Sequence, residues 1–182
     1  MPLEPGVLII DTRPAARFCA GHLPGSFNLQ DGSKFETWLG SIVGPKEKFY
    51  LLADSKIALD TIVRKTAKIG YEGNIKGALL APTALPATAP AVEVAQVREH
   101  PEQFTIVDVR NRTEARVPVF ANALVIPLPE LRERTHEIPP DKPILVHCAG
   151  GYRSAVGASI VRAALPGAQV LDLGEAVTDF QP

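Results

Sequence analysis

Two apolar runs lie 97 residues apart, Val7-Leu8-Ile9-Ile10-Asp11-Thr12-Arg13 and Phe104-Thr105-Ile106-Val107-Asp108-Val109-Arg110, and both end in Asp-x-Arg. A repeat of this length constrains the fold more than any other feature, because it says that one supersecondary plan is built twice. At the same offset, Phe27-Asn28-Leu29 falls on Leu124-Val125-Ile126, a second short strand in each half. Lys48 to Ala53 then corresponds to Lys142 to Cys148, and a helical stretch follows each. The first such helix is expected from Leu59 to Ile69, ended by Gly70, and the second from Ser154 to about Leu165, ended by Pro166-Gly167. Short strands alternating with helices imply parallel β-α-β units and a sheet covered on both faces. The expectation is an α/β protein of two domains, each a small parallel sheet flanked by helices, at residues 1–80 and 91–182. Residues 81–90, Ala81-Pro82-Thr83-Ala84-Leu85-Pro86-Ala87-Thr88-Ala89-Pro90, read as an extended Pro/Ala-rich linker. The second half opens with an amphipathic stretch, Val92 to Glu99.

Chemistry concentrates in Leu145-Val146-His147-Cys148-Ala149-Gly150-Gly151-Tyr152-Arg153-Ser154. A strand, a tight loop and a helix start in that order aim backbone N–H groups and a positive helix end at one point. A cysteine there is favoured as the thiolate, the nucleophilic form. A lone cysteine at a strand end is more often a small buried hydrophobe. Its neighbours favour function: Gly150 and Gly151 permit φ > 0 and close backbone approach, Arg153 brings a planar cation, and Ser154 is expected to cap the helix. In the first half, Ala53 is followed by Asp54-Ser55-Lys56, with no cysteine, glycine pair or arginine and a loop shorter by a few residues. An aspartate there repels anions, so that half is expected to be catalytically silent.

Composition closes off several classes. Nineteen Lys and Arg against twenty Asp and Glu leave a net charge of −1, with no basic stripe for nucleic acid or an anionic membrane. No apolar run approaches the roughly 18 residues that cross a bilayer. Met1 to Gly6 has neither a basic nor an apolar region of the secretory kind. The two cysteines, Cys19 and Cys148, form no disulfide framework. A cytoplasmic protein is expected, with no cofactor, no metal, no nucleic-acid partner and no membrane.

With these residues in view, the chain resembles a tandem of rhodanese domains over nearly all its length. The first half carries Ile10-Asp11-Thr12-Arg13 and Gly21-His22-Leu23-Pro24-Gly25-Ser26-Phe27-Asn28. The second carries Val107-Asp108-Val109-Arg110 with Glu114, then Ile126-Pro127-Leu128-Pro129-Glu130-Leu131, and most specifically Cys148 to Ser154. A silent domain containing Leu29 to Trp38 beside an active one is similar to the C-terminal part of metallo-β-lactamase/rhodanese fusions of the persulfide dioxygenase kind. Departures are the run Pro118-Val119-Phe120-Ala121-Asn122 in place of a Gly-His-x-Pro-Gly turn, and Val170-Leu171-Asp172-Leu173-Gly174-Glu175-Ala176 in place of a Gly-Gly and tryptophan ending. No His-x-His-x-Asp-His metal motif occurs, so a metallo-β-lactamase-type domain is expected as a partner absent from this chain, itself read as a fragment of a longer protein or a descendant of one.

The resemblance implies a sulfurtransferase that moves sulfane sulfur from thiosulfate or a low-molecular-weight persulfide to a thiol or cyanide through a Cys148 persulfide. The expected site is Cys148 as nucleophile with Ala149, Gly150, Gly151, Tyr152, Arg153 and Ser154 around the substrate, Arg153 attracting an anionic donor or bracing the loop. Asp108, Arg110 and Arg112 are candidates for the pocket mouth, with salt-bridge bracing the competing role for the first two and a solvated surface role for the third. Two alternatives stand beside it. One is a persulfide-carrying or docking module without turnover. The other is a cysteine-based phosphatase or arsenate reductase, disfavoured because four residues rather than five separate Cys148 from Arg153 and no aspartate is evident near the loop to act as acid. Cys19 and His147 are read as packed residues, and His22, His100 and His136 lack metal-ligand spacing.

Overall fold

The computed structural model describes residues 3–181. Met1 and Pro2, part of the N-terminal segment discussed above, lie outside the described residues. The chain divides into two compact units, residues 1–88 and 89–182.

In the first unit, β1 (Leu8–Asp11), α1 (Ala15–Ala20), β2 (Phe27–Asn28), α2 (Phe35–Ile42), β3 (Phe49–Ala53), α3 (Lys56–Ala67) and β4 (Ile75–Leu80) follow in order. In the second, α4 (Val94–Glu99) precedes β5 (Thr105–Asp108), β6 (Leu124–Val125), α5 (Leu128–Arg134), β7 (Ile144–His147), α6 (Tyr152–Ala164) and β8 (Val170–Asp172). Strand order is β2-β1-β3-β4 in one sheet and β6-β5-β7-β8 in the other, every pair parallel. Each is a four-stranded parallel sheet flanked by helices, the α/β architecture anticipated from the repeat. β3 and β7 are buried along their whole length, as continuous apolar runs in a two-sided sheet must be.

The repeat extends to residue register. Leu8 pairs with Phe49 and Asp11 with Leu52, just as Thr105 pairs with Ile144 and Asp108 with His147. Ala53, the last residue of β3, therefore matches Cys148, the first residue after β7. Two residues, Asp54 and Ser55, separate Ala53 from α3, and three, Ala149 to Gly151, separate Cys148 from α6. The first loop is thus shorter by one residue rather than by a few. Both helices also start earlier than anticipated, and in α3 the reason is Ser55, whose Oγ accepts the Ala58 N–H at 3.2 Å.

The core of the second unit holds the loop in place. Val97, Phe104, Ile106, Phe120, Leu145, Leu171, Leu173 and Val177 form one buried cluster. α6 is buried from Ser154 to Val161, and Gly157 permits its close approach to the sheet. A Cβ at Gly157 would stand 3.1 Å from Val109 Cγ1 and 3.2 Å from Val146 Cγ1.

Candidate active site around Cys148

The Asp-x-Arg ending proves to be a local device, the same in both units. Asp11 Oδ1 accepts the Arg13 N–H at 3.1 Å while its carboxylate takes Arg13 Nε at 2.9 Å and Nη2 at 2.6 Å. Asp108 holds Arg110 likewise, through the backbone N–H at 3.0 Å, Nε at 3.0 Å and Nη2 at 2.7 Å. Each arginine also donates to a backbone carbonyl ahead of the next strand: Arg13 Nη2 to Gly21 at 2.7 Å, Arg110 Nη2 to Val117 at 3.1 Å. Val117 thus supplies the carbonyl that the glycine turn supplies in the first unit. Asp108 and Arg110 are 1% and 7% exposed, so they are interior bracing and not the open mouth of a pocket. The Asp108 hydrogen bonds raise the Arg110 pKa against the opposing effect of burial. Arg112 is exposed, with Nη2 on Glu130 Oε2 at 2.7 Å.

β7 delivers Cys148 to the loop that opens α6. The residue is 1% exposed, and its Sγ accepts the Gly151 N–H at 3.1 Å. Gly151 is the N-cap of α6 at φ +101°, a left-handed conformation that favours glycine. A Cβ there would stand 2.9 Å from both Gly174 C and Glu175 N, so the loop is pressed against the turn after β8. Ala149 is partly buried, and Gly150 is exposed with nothing within 4 Å of where a Cβ would lie. Tyr152 and Arg153 are partly buried in the first turn of α6, and Ser154 is fully buried.

The expected cap changes, and the bracing role weighed for Arg153 is seen. Ser154 does not cap the helix: it sits in the third helical position, and its Oγ donates to the Gly151 carbonyl at 3.1 Å. Arg153 is clamped by a carboxylate. Its Nη1 donates to Glu114 Oε2 at 2.7 Å and its Nη2 to Glu114 Oε1 at 2.8 Å, the bidentate geometry of a strong ion pair. Glu114 Oε2 also accepts the Asn111 N–H at 3.1 Å, a local bond that helps to orient the carboxylate. Arg153 in turn holds the Glu114 carboxyl below its usual range.

His147 lies one residue before the sulfur and on the other face. It is fully buried, packed edge-on against Phe120 with centroids 5.2 Å apart, and its Nδ1 donates to the Cys148 carbonyl at 3.2 Å. Its Nε2 has no hydrogen-bond partner and faces Asp108 Oδ2 at 3.7 Å. Burial pushes its pKa down, against the attraction of Asp108.

Asp172 is a site residue that the sequence does not single out. At the end of β8 it accepts the Gly174 N–H at 2.9 Å, the Ser154 hydroxyl lies beside it and lowers its carboxyl pKa, and burial outweighs this and pushes that pKa up. Its place follows from the sheet, since Val146 pairs with Asp172 beside the end of β7. The available signal is a single carboxylate in the apolar run Val170-Leu171-Asp172-Leu173 just before Gly174. Gln181 is a second such residue; its Nε2 donates to the Ala149 carbonyl at 2.7 Å. Among the described residues no group of three or more His, Cys, Asp or Glu could hold a metal ion, and no helix is long and apolar enough to cross a membrane.

The family profile of the rhodanese-like domain matches residues 2–80 and again residues 91–177. No curated protein matches the chain. Similar solved structures include a rhodanese-related protein of Thermoplasma volcanium, 30% identical over 52% of this chain and 94% of its own, with a TM-score of 0.42. A Helicobacter pylori protein is 26% identical over 50% of this chain and 80% of its own, TM-score 0.40. A thiosulfate sulfurtransferase of Pseudomonas aeruginosa is 18% identical over 96% of this chain and 40% of its own, TM-score 0.41. Two successive matches to one family, together spanning nearly the whole chain, place this protein in the rhodanese-like domain family as a tandem of two such domains.

Proposed function

We propose that this chain is a sulfurtransferase in which Cys148 carries a sulfane sulfur from thiosulfate or a low-molecular-weight persulfide to a thiol or cyanide. The observation that carries the reading is the Gly151 N–H donated to Cys148 Sγ at 3.1 Å in the loop that opens α6. A backbone donor fixed on the sulfur stabilises negative charge there without a proton having to move. The Cys148 thiolate attacks the outer sulfur of the donor, the donor's S–S bond breaks, and the leaving group departs with the electron pair. With thiosulfate the products are the Cys148 persulfide anion and sulfite, and no general base is needed. A thiol or cyanide then removes the outer sulfur in a second step, giving ping-pong kinetics. The donor approaches over Gly150, the exposed residue of the loop.

Arg153 contributes by holding the loop to Glu114, and Tyr152, partly buried in the first turn of α6, is the residue we assign to acceptor choice. The first unit, with Ala53 at the corresponding strand end, is a silent copy. The likeness to metallo-β-lactamase/rhodanese fusions belongs to this proposal, and it makes such a domain the expected partner in persulfide exchange. A second reading, a persulfide carrier without brisk turnover, draws on the 1% exposure of Cys148.

The test is to incubate the chain with thiosulfate and with glutathione persulfide, follow cyanolysis, and weigh the protein. A mass gain of about 32 Da (one sulfur) that Cys148→Ser abolishes, with turnover, supports the enzyme. The same gain with negligible turnover supports the carrier, and no gain from either donor overturns both.

A further inference from the structure

Arg153 is the cation nearest in sequence to the reactive sulfur, yet its guanidinium is already matched, two bonds to two oxygens, by Glu114. Glu114 is in turn fixed by the Asn111 N–H at 3.1 Å, at the start of the 3-10 turn Glu114–Arg116. The carboxylate side chain is 36% exposed and the guanidinium 14%, so an anion arriving from solvent meets the negative partner before the positive one.

We infer that Glu114 is a specificity-determining residue, which withholds the Arg153 charge from the donor and turns the site toward organic persulfides and away from thiosulfate. The inference rests on the sulfurtransferase reading above and narrows its substrate class. Thiosulfate brings two negative charges on the atoms around the bond to be broken. An organic persulfide brings at most one to the reacting end, and none when protonated. In the persulfide reaction the Cys148 thiolate attacks the terminal sulfur of R–S–SH, the S–S bond breaks, and R–S⁻ leaves with the electron pair. The proton left on the Cys148 persulfide passes to R–S⁻, giving R–SH and the Cys148 persulfide anion. No oxidant or reductant is consumed.

Coulomb energy scales with the product of charges, so the Glu114 carboxylate held on Arg153 penalises the two charges at the reacting end of thiosulfate twice as heavily as the single charge at the reacting end of a persulfide. Arg153 keeps Glu114 ionised at neutral pH, since the ion pair holds its carboxyl below the usual range. Glu114 touches no reacting atom. It acts through Arg153, and a role confined to bracing the loop would affect both donors alike.

The test compares kcat/KM for thiosulfate and for glutathione persulfide in the full chain, in Glu114→Gln and in Glu114→Asp. Glu114→Gln is expected to shift the ratio of the two about tenfold toward thiosulfate. Glu114→Asp keeps the charge and should hold the ratio near that of the parent. An unmoved ratio in Glu114→Gln, or equal losses on both donors in the two variants, overturns the inference while leaving sulfur transfer standing. Should Glu114→Gln fail to fold, the salt dependence of the parent protein decides. A neutralised arginine predicts thiosulfate turnover that is flat or rises with ionic strength, and an available cation predicts a several-fold fall, which overturns the inference. If the parent takes up sulfur from neither donor, the sulfurtransferase reading itself fails, an outcome distinct from an unmoved ratio.

Discussion

The two halves of this chain share a frame and differ at a strand end. Both place an Asp-x-Arg pair at the end of the strand beside the loop strand, both order their strands alike, and both keep the same register. In one half the loop strand ends in Ala53, and the helix that follows is capped by the Ser55 side chain. In the other it leads directly into Cys148, and the helix is capped by a left-handed glycine whose N–H is turned onto the sulfur. One residue more and a change of cap turn a helix start that satisfies itself into one that presents a donor to a nucleophile. The fold is common to both halves, and the chemistry is local to one loop.

The sharpest way to break the contrast is to exchange its central atom. Cys148→Ser is expected to lower sulfur transfer by about a thousandfold or more, because a hydroxyl in place of the thiol cannot hold the sulfur. Ala53→Cys puts a thiol at the matching position without the glycine-capped loop. Combined with Cys148→Ser, it should take up no sulfur by mass. Persulfide formation on that introduced thiol would show that the frame alone suffices.

Next in size is a change that should not discriminate between the halves. Asp11→Asn and Asp108→Asn each leave a buried arginine without its counter-charge, at an expected cost of about 3 kcal/mol in denaturant unfolding. The contrast enters through activity: Asp11→Asn should leave sulfur transfer by the remaining folded protein intact, whereas Asp108→Asn also disturbs the site beside His147. Loss of specific activity in Asp11→Asn would mean the first half is not silent. A smaller effect separates the caps. Gly151→Ala meets both an unfavourable φ and atoms at 2.9 Å, so about 2 kcal/mol of stability and most of the transfer activity should go. Ser55→Ala removes one capping bond, costs about 1 kcal/mol, and leaves transfer unchanged.

These pairs also show what can be read from the letters. The repeat is legible because apolar runs, Asp-x-Arg and turn residues are local, and so is the loop after β7. The meaning of Asp-x-Arg is less so: by position the motif suits a pocket mouth or a bracing ion pair, and the burial of Asp108 and Arg110 with their mutual bonds decides for bracing. Ser154 has the residue type of a cap, but a glycine able to adopt φ > 0 caps first. Arg153 has the charge to attract a donor, whereas Glu114, 39 residues earlier, already holds it. Asp172 escapes a reading by residue spacing because its relation to Ser154 exists only once β8 lies beside β7. Contacts set by sheet order lie beyond what that spacing encodes.

The smallest expected effect concerns the residue before the sulfur, His147 in one half and Leu52 at the same register in the other. Burial lowers the His147 pKa, and it outweighs the Asp108 carboxylate at 3.7 Å, which pulls the other way. Between that lowered value and about 6.5, where an unfolded histidine titrates, the unfolded chain binds a proton that the folded chain does not. The stability contributed by the neutral ring is therefore complete above about pH 6.5 and is lost as pH falls toward the folded value. Unfolding by urea should show the parent losing about 1 kcal/mol more than His147→Leu between neutral pH and about pH 5.5. The other titrating groups remain in both proteins, so the difference isolates the ring. The leucine also removes the Nδ1–H that orients the Cys148 carbonyl, so a modest fall in transfer should accompany the flatter pH profile. Identical pH profiles in the two proteins would mean that the ring accepts its proton inside the fold, with Asp108 as its partner, and that this difference between the halves is one of shape alone.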